Sequence, residues 1–444
     1  MSRIMIAGTH SGCGKTTITC GLLRALQNRG LRPSACKCGP DYIDPMFHRR
    51  VLGVPSYNLD PFFCTEAQLK GRLAAHGEDI CLLEGVMGYY DGVGVEGRYS
   101  ACDVAQSTQT PVVLVVDVKG MYASAGAVLK GFLSYRPRNG IGGVIFNNAS
   151  PMLYEGLSLI AENSGVMPLG FLPREAKAAI GSRHLGLVTA GEIVDIEKKL
   201  SLLGALAEEY IDIDGLLALA AAAPALDAAV PDIRPLGSVR LAVARDDAFC
   251  FIYEENLELL QALGGEIVFF SPLNDTALPD NIGGLYLCGG YPELHVRALS
   301  GNTSMLQAVN GAMRDGLPTV AECGGFLYLH DTLDGFPMAG VIPADAYKTE
   351  HLRRFGYVTL QAQGDNLLCD AGDSIRAHEF HYYESADSGA GFIAQKPLSD
   401  RSWPCVHATE TLYAGFPHLY FDANPIFAEN FIRKAIAYGV KKFA

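Results

Sequence analysis

Short apolar runs recur through the first half of the chain, each β-branched-rich and each closing on or beside a Gly, Asp or Asn. They are "RIMIAG" (3–8), "ICLLEG" (80–85), "PVVLVVDV" (111–118) and "GGVIFNN" (142–148). Between them lie stretches with helical spacing, such as "TTITCGLLRALQNRG" (16–30). Continuous apolar strands alternating with helices predict a parallel sheet covered on both faces. From 216 the pattern dissolves into "LLALAAAAPALDAAVPDIRPLG", which predicts a helix end followed by a linker. A new strand–helix–strand pattern then opens with "VRLAVARDD", "ENLELLQALGG" and "EIVFFSP", and "GGLYLCGG" and "LPTVAECGG" repeat the strand-then-glycine theme. The expectation is an α/β chain in two parts: a first domain over 1–215, a linker over 216–237 and a second domain over 238–444.

Length and composition agree with this division. A chain of 444 residues exceeds one ordinary domain, and 49% hydrophobic against 19% charged residues supplies material for substantial cores. The net charge of −13, with no basic stripe, excludes a general nucleic-acid binder. Twelve cysteines are scattered without a C-x-x-C pair and no secretory signal opens the chain, so reduced thiols in a cytoplasm are expected. No apolar run is long enough to span a bilayer, so no membrane partner is expected.

"AGTHSGCGKTT" (7–17) follows the first strand and opens the first helix. G-x-x-x-x-G-K-[ST] would require a glycine at position 9, where Thr9 stands; the upstream glycine is Gly8. The context still satisfies a nucleotide site. Gly8, Gly12 and Gly14 let backbone N–H groups turn toward phosphate oxygens, Lys15 reaches the β/γ-phosphates, and the Thr16 hydroxyl suits Mg²⁺, with Thr17 beside it. The helix N-terminus adds partial positive charge.

Acidic residues end other predicted strands. Glu84 closes "DICLLEG", where ligands gather in open parallel sheets, and a carboxylate there is a hard ligand for Mg²⁺. "KCGPDYIDP" (37–45) adds Lys37, Asp41, Tyr42 and Asp44, and "GYYDG" adds Asp91. Asp117 ends "PVVLVVD" and reads equally well as a strand-end cap. Together these residues suggest a Mg-ATP site facing an acceptor, with Mg²⁺ held by Thr16, Glu84 and Asp41 or Asp44.

In the second half, "LPTVAECGGFLYL" puts Cys323 between a β-rich run and a Gly-Gly pair that opens an apolar helix. This is the pattern of a nucleophile at a sharp strand-to-helix turn, where a helix N-terminus lowers the thiol pKa. Gly324, and Gly289 and Gly290 of "CGGYPE", could offer N–H groups to an oxyanion. A base is needed among eleven histidines; spacing alone leaves it open, with His418 of "AGFPHLYFDANP" one candidate.

With both halves read, the chain resembles the cobyrinic acid a,c-diamide synthases, ATP- and glutamine-dependent enzymes of corrin biosynthesis. The motifs that carry the resemblance span nearly the whole chain, in the family's order: "AGTHSGCGKTT", "KCGPDYIDPMFH", "NLDPFF", "LLEGVMGYYDG", "SRHLGLV", "CGGYPELH", "AECGGFLYL", "FGYV", "HEFHYYES" and "FPHLYFDANP". "GPDYIDP" and "EGVMGYYDG" are specific; the phosphate loop alone is not. The shifted glycine matches the dethiobiotin-synthetase type of loop, and His10, where partition ATPases carry an extra lysine, argues against those.

The resemblance implies a dethiobiotin-synthetase-like ATP domain followed by a triad-type glutamine amidotransferase domain. It implies Cys323 as the glutaminase nucleophile and His418 as the residue that raises its reactivity. ATP, Mg²⁺, L-glutamine and cobyrinate are the implied small molecules, with Asp41, Tyr42, Asp44 and Asp91 toward the substrate and Lys37 neutralising phosphate or carboxylate charge. Arg183, Arg353 and Arg354 are further cations for a polyanionic corrin, and a homodimer is within expectation. Three departures stand out: Cys288 for the usual proline of "PGGYPE", Tyr420 for the second histidine of "H-L-H-F", and Ser182 for the glutamate of "ERHLGL". Other triad amidotransferases use H-x-E, so the residue that orients His418 is open. Hydrogenobyrinate or nickel sirohydrochlorin as the acceptor, and a non-enzymatic P-loop switch, are the rival readings.

Overall fold

The computed structural model describes residues 1–178, 195–228 and 233–443, with backbone also at 182–183 and 186–187. The side chains of Ser182 and Arg183, and part of the expected linker (229–232), lie outside the described residues. The chain forms two compact units, Met1–Pro231 and Asp232–Ala444.

The first unit is built on a seven-stranded sheet. Its strands are β1 (Ser2–Gly8), β2 (Pro33–Cys38), β3 (Ser56–Leu59), β4 (Ile80–Glu84), β5 (Val112–Asp117), β6 (Ile141–Asn147) and β7 (Met167–Leu172). Their order is β3-β2-β4-β1-β5-β6-β7, and every pairing is parallel. The apolar runs read from the sequence are buried throughout, as a sheet covered on both faces demands: β5 shields all of Val112 to Val116. The carboxyl ends of β1, β2 and β4 lie side by side, so Gly8, Lys37 and Glu84 share one edge. Helix α1 (Lys15–Asn28) follows β1, with Gly14 in the left-handed region at its cap, and α2 (Ile43–Leu52) follows β2. A helix over Ile213–Ala221 runs through the start of the Ala/Pro stretch. Ile213, Leu216 and Ala220 are buried at helical spacing, so that stretch opens as packed helix.

The second unit has a six-stranded sheet in which the strand Thr319–Glu322 pairs in parallel with Ile282–Leu287 on one side and Leu412–Gly415 on the other. A five-stranded antiparallel sheet adds Arg354–Ala362 and Ser374–His381, and the latter pairs with the two-residue strand His418–Leu419. Among the described residues, no helix is long and apolar enough to cross a membrane.

Candidate functional sites

In the first unit, the register of β2 against β4 makes Lys37 and Glu84 partners. Lys37 Nζ lies 2.9 Å from Glu84 Oε1 and 2.5 Å from Asp44 Oδ2. The Thr16 hydroxyl, in the first turn of α1, donates to the same Glu84 Oε1 at 2.5 Å. His48 Nε2, from α2, stands 3.5 Å from Glu84 Oε2. Phosphate loop, strand end and "GPDYIDP" turn thus meet in one buried cluster.

The electrostatics follow from one ammonium serving two buried carboxylates. Burial pushes the Glu84 carboxyl up, but Lys37 and His48 outweigh it and hold the group below the usual carboxylate range. Burial together with Asp41 keeps the Asp44 carboxyl above that range, despite Lys37. Burial draws Lys37 down, and Asp44 and Glu84 more than reverse this.

Lys15 Nζ donates to the carbonyls of His10 (3.1 Å) and Met87 (2.5 Å), so it is held over the loop. Burial lowers its pKa, with Lys37 acting in the same direction. Gly14 has φ +102° and an added Cβ would strike the Asn147 amide, which in turn donates to Cys13 O at 2.9 Å. Gly8 is needed for space: a Cβ there would strike Cys13 Sγ and the Lys15 stem.

The remaining acids separate by role. Asp41 is half-buried, and its Oδ1 accepts the amides of Ile43 (2.8 Å) and Asp44 (3.3 Å), so it shapes the entry to α2. Asp91 is exposed, holds the Gly88 amide at 2.9 Å, and borders a cavity of about 610 Å³ lined by Thr9, Tyr89, Tyr90, Phe132 and Tyr135. Tyr42 is half-buried between Asp41 and Asp44 in the chain. Asp117 accepts from the Lys119 amide and Asn148, each at 3.0 Å, which is the strand-end cap. His48 escaped the sequence reading; its signal was its place one turn after Asp44 on the same helix.

In the second unit, Cys323 follows the strand Thr319–Glu322 with φ +47° and ψ −100°, and its amide donates to Gly415 O at 2.8 Å. Positive φ at a non-glycine residue is costly strain, and it turns the thiol out of the sheet. The "CGGYPE" turn packs onto this elbow: a Cβ on Gly324 would sit 2.9 Å from Gly290 N, and one on Gly289 would strike the His418 ring. Cys323, His418 and the three candidate oxyanion glycines therefore converge. Cys288 donates its thiol to Ala244 O at 3.3 Å, filling the proline's place beside the turn.

The lowered thiol pKa expected at the Cys323 elbow is not found. The thiol pKa is raised, because burial and the nearby carboxylates of Glu293, Glu322 and Glu379 exceed the help of the Gly324 amide. The helix that follows, Gly324–Tyr328, has only five residues, too few for a strong dipole. Burial, then His378 and His381, push His418 down to about 3. The resting pair is therefore a neutral thiol and a neutral imidazole.

Lys37 and Lys15 are cations at the nucleotide cluster. In the second unit, Arg353 is paired to Glu384 at 2.5 Å and Arg354 lies over the Trp403 ring at 4.6 Å.

Comparison with known proteins gives each unit its class. The profile of the CobQ/CobB/MinD/ParA nucleotide binding domain matches residues 4–188, and that of the CobB/CobQ-like glutamine amidotransferase domain matches residues 240–426. The two together make the chain an α/β ligase that binds ATP and draws its nitrogen from glutamine. It is 38% identical to a cobyrinate a,c-diamide synthase of Listeria monocytogenes serotype 4b, over 96% of this chain and 97% of that one. It is 36% identical to that of Caldanaerobacter subterraneus subsp. tengcongensis (98% and 99%) and 37% identical to that of Clostridium acetobutylicum (98% and 100%). The chain belongs to the cobyrinate a,c-diamide synthase family, as the motif order implied.

Proposed function

We propose that the chain converts the a and c acetate carboxylates of cobyrinate to amides, using ATP in the first unit and ammonia released from glutamine by Cys323 in the second. The observation that carries this reading is the contact chain Thr16–Glu84–Lys37–Asp44, which joins the phosphate loop to the family-specific "GPDYIDP" turn. A nucleotide site alone would not need that turn; an enzyme that phosphorylates an acidic acceptor does.

The Gly12 and Gly14 amides, Lys15 and Thr17 bind the phosphates. Lys37 neutralises charge between phosphate and carboxylate. A carboxylate oxygen of the acceptor attacks the γ-phosphorus, the bond to ADP breaks, and an acyl phosphate results. Ammonia then adds to the acyl carbon and inorganic phosphate leaves. The aromatic walls of the cavity beside Asp91 suit the edge of a macrocycle.

The residues also fit Mg²⁺. Asp44 Oδ1 is buried without a hydrogen-bond donor among the described residues, and Glu84 and Thr16 add hard oxygens beside it. Among the described residues, no group of three or more His, Cys, Asp or Glu forms a ready-made cage, which suits an ion that keeps waters and phosphate oxygens as ligands. When bound, Mg²⁺ would neutralise phosphate charge.

In the second unit the Cys323 proton passes to His418 and sulfur attacks the amide carbon of glutamine. The amides of Gly289, Gly290 and Gly324 are the candidate oxyanion donors. Ammonia leaves with the proton, and water hydrolyses the glutamyl thioester.

Mass spectrometry of products tests this reading, with ATP, Mg²⁺ and glutamine supplied and cobyrinate, hydrogenobyrinate and nickel sirohydrochlorin compared as acceptors. A diamide formed preferentially from cobyrinate is expected; preference for another tetrapyrrole reassigns the acceptor. Cys323→Ala should lose glutamine but keep ammonia as nitrogen source, and loss of both overturns the division of labour.

A further inference from the structure

Tyr420 stands where an H-x-E site would carry the glutamate that orients its histidine. It is fully buried, and its ring packs edge-on against Tyr253 with centroids 4.9 Å apart. A carboxylate reaches His418 from another direction. Glu322 ends the strand before the nucleophile and is 1% exposed. Its Oε1 accepts the Leu419 amide at 2.9 Å. Its Oε2 accepts the Tyr286 hydroxyl at 3.1 Å and lies 3.9 Å from His418 Nδ1.

We propose that Glu322 is the positioning residue for His418: its carboxylate faces Nδ1, selects the tautomer protonated there, leaves Nε2 to take the Cys323 proton, and stabilises the imidazolium that forms. The inference rests on the reading of Cys323 and His418 as nucleophile and base. It moves the third member of the triad from the histidine's own segment to the peptide that carries the nucleophile.

The surroundings favour this role over a purely structural one. The two hydrogen bonds fix both oxygens, and Asn256 holds the same assembly by donating to Leu419 O at 2.8 Å and accepting the Phe421 amide at 2.8 Å. Glu322 faces His418 at Nδ1, and the histidines that act on it are its register partner His378 and His381. Burial holds the two neighbouring histidines near 3 and 4, so both are neutral rings near neutral pH and Glu322 is the acid that faces Nδ1. Glu379, on the strand of His378, interacts with Lys396 and Arg354. Glu322 itself is pushed by burial to about 8, opposed by the Leu419 amide and the Tyr286 hydroxyl. Its ionisation is therefore the step that switches the base on as pH rises.

The test is the pH profile of glutamine-dependent amidation, measured beside the ammonia-supported reaction. Wild type should show an ascending limb near the Glu322 ionisation. Glu322→Gln keeps an acceptor for the Leu419 amide but has no charge. It should lower kcat for glutamine about 100-fold with little change in KM, abolish the limb, and leave ammonia use intact. Tyr286→Phe is a gentle second variant: losing its hydrogen bond should move the limb to higher pH in a folded protein. Wild-type kinetics in Glu322→Gln, a uniform loss that retains the limb, or a wild-type profile with no limb each overturn the proposal. Should Glu322→Gln fail to fold, an unmoved limb in Tyr286→Phe overturns it and a moved one supports it. Cys323→Ala, run in parallel, separates the two levels, because glutamine use in that variant overturns the underlying nucleophile reading instead.

Discussion

Lys37 and Glu84 are register partners on adjacent parallel strands, and their side chains meet at 2.9 Å with almost no exposure. Asp44 shares the same ammonium, so one cation offsets two buried acids. Removing it leaves uncompensated charge in a low-dielectric site. Lys37→Met should destabilise the first unit by about 3–5 kcal/mol at neutral pH. The Glu84 carboxyl is depressed in the fold, so its stabilisation is present above its ordinary value of 4.5 and is lost as pH falls through the lower folded value. The gap between wild type and variant should therefore be wide at neutral pH and narrow below about 4.5, as urea melts across that range would show.

Gly14→Ala tests the loop. A side chain there meets both the left-handed φ of +102° and the Asn147 amide. The strain alone is about 1–2 kcal/mol, and displacing Asn147 also removes its bond to Cys13 O. Calorimetry should find ATP binding weakened about tenfold, a cost within the range of that strain.

Gly289→Ala tests the elbow in the other unit. The added methyl would enter the space of the His418 ring. Glutamine-dependent turnover should fall about 100-fold while ammonia-dependent turnover is unchanged. Equal loss from both nitrogen sources would show that the turn has a wider structural role.

Glu322 predicts an unusual pH dependence of stability. Its ordinary value is 4.5 and its folded value about 8, so the fold is favoured fully below the first and loses stability as pH rises through the second. Glu322→Gln has no such slope. Its melting midpoint relative to wild type should rise between about pH 5 and pH 9, by the equivalent of a few kcal/mol at most. A pH-independent difference would show that the carboxyl is not held protonated.

The strands, the phosphate loop and the cysteine elbow were legible because each is local: a β-branched run, glycines at short spacing, a thiol before Gly-Gly. Which aspartate joins Glu84 was not, because Asp41 and Asp44 differ only once α2 is laid against β2 and β4. Glu322 was hidden for the same reason, with Leu419 97 positions away. A signal was present all the same: Glu322, like Glu84, is an acid closing a buried apolar strand, and such a group is retained only with partners. The raised thiol was also beyond local reading, since burial and two of the carboxylates that raise it, Glu293 and Glu379, come from separate segments.

The parallel order of the first sheet has a consequence for synthesis. β1 is hydrogen-bonded to β4 and β5 rather than to β2, so the strand that carries the loop stays unpaired until residues beyond 80 and then 112 exist. Thr16 finds Glu84 across 68 positions and Lys15 finds Met87 across 72. A nascent chain shorter than this owns the whole nucleotide motif yet has no second side to the pocket. Capacity to hold ATP should thus appear abruptly on the ribosome, as a threshold in chain length, rather than growing with each residue added.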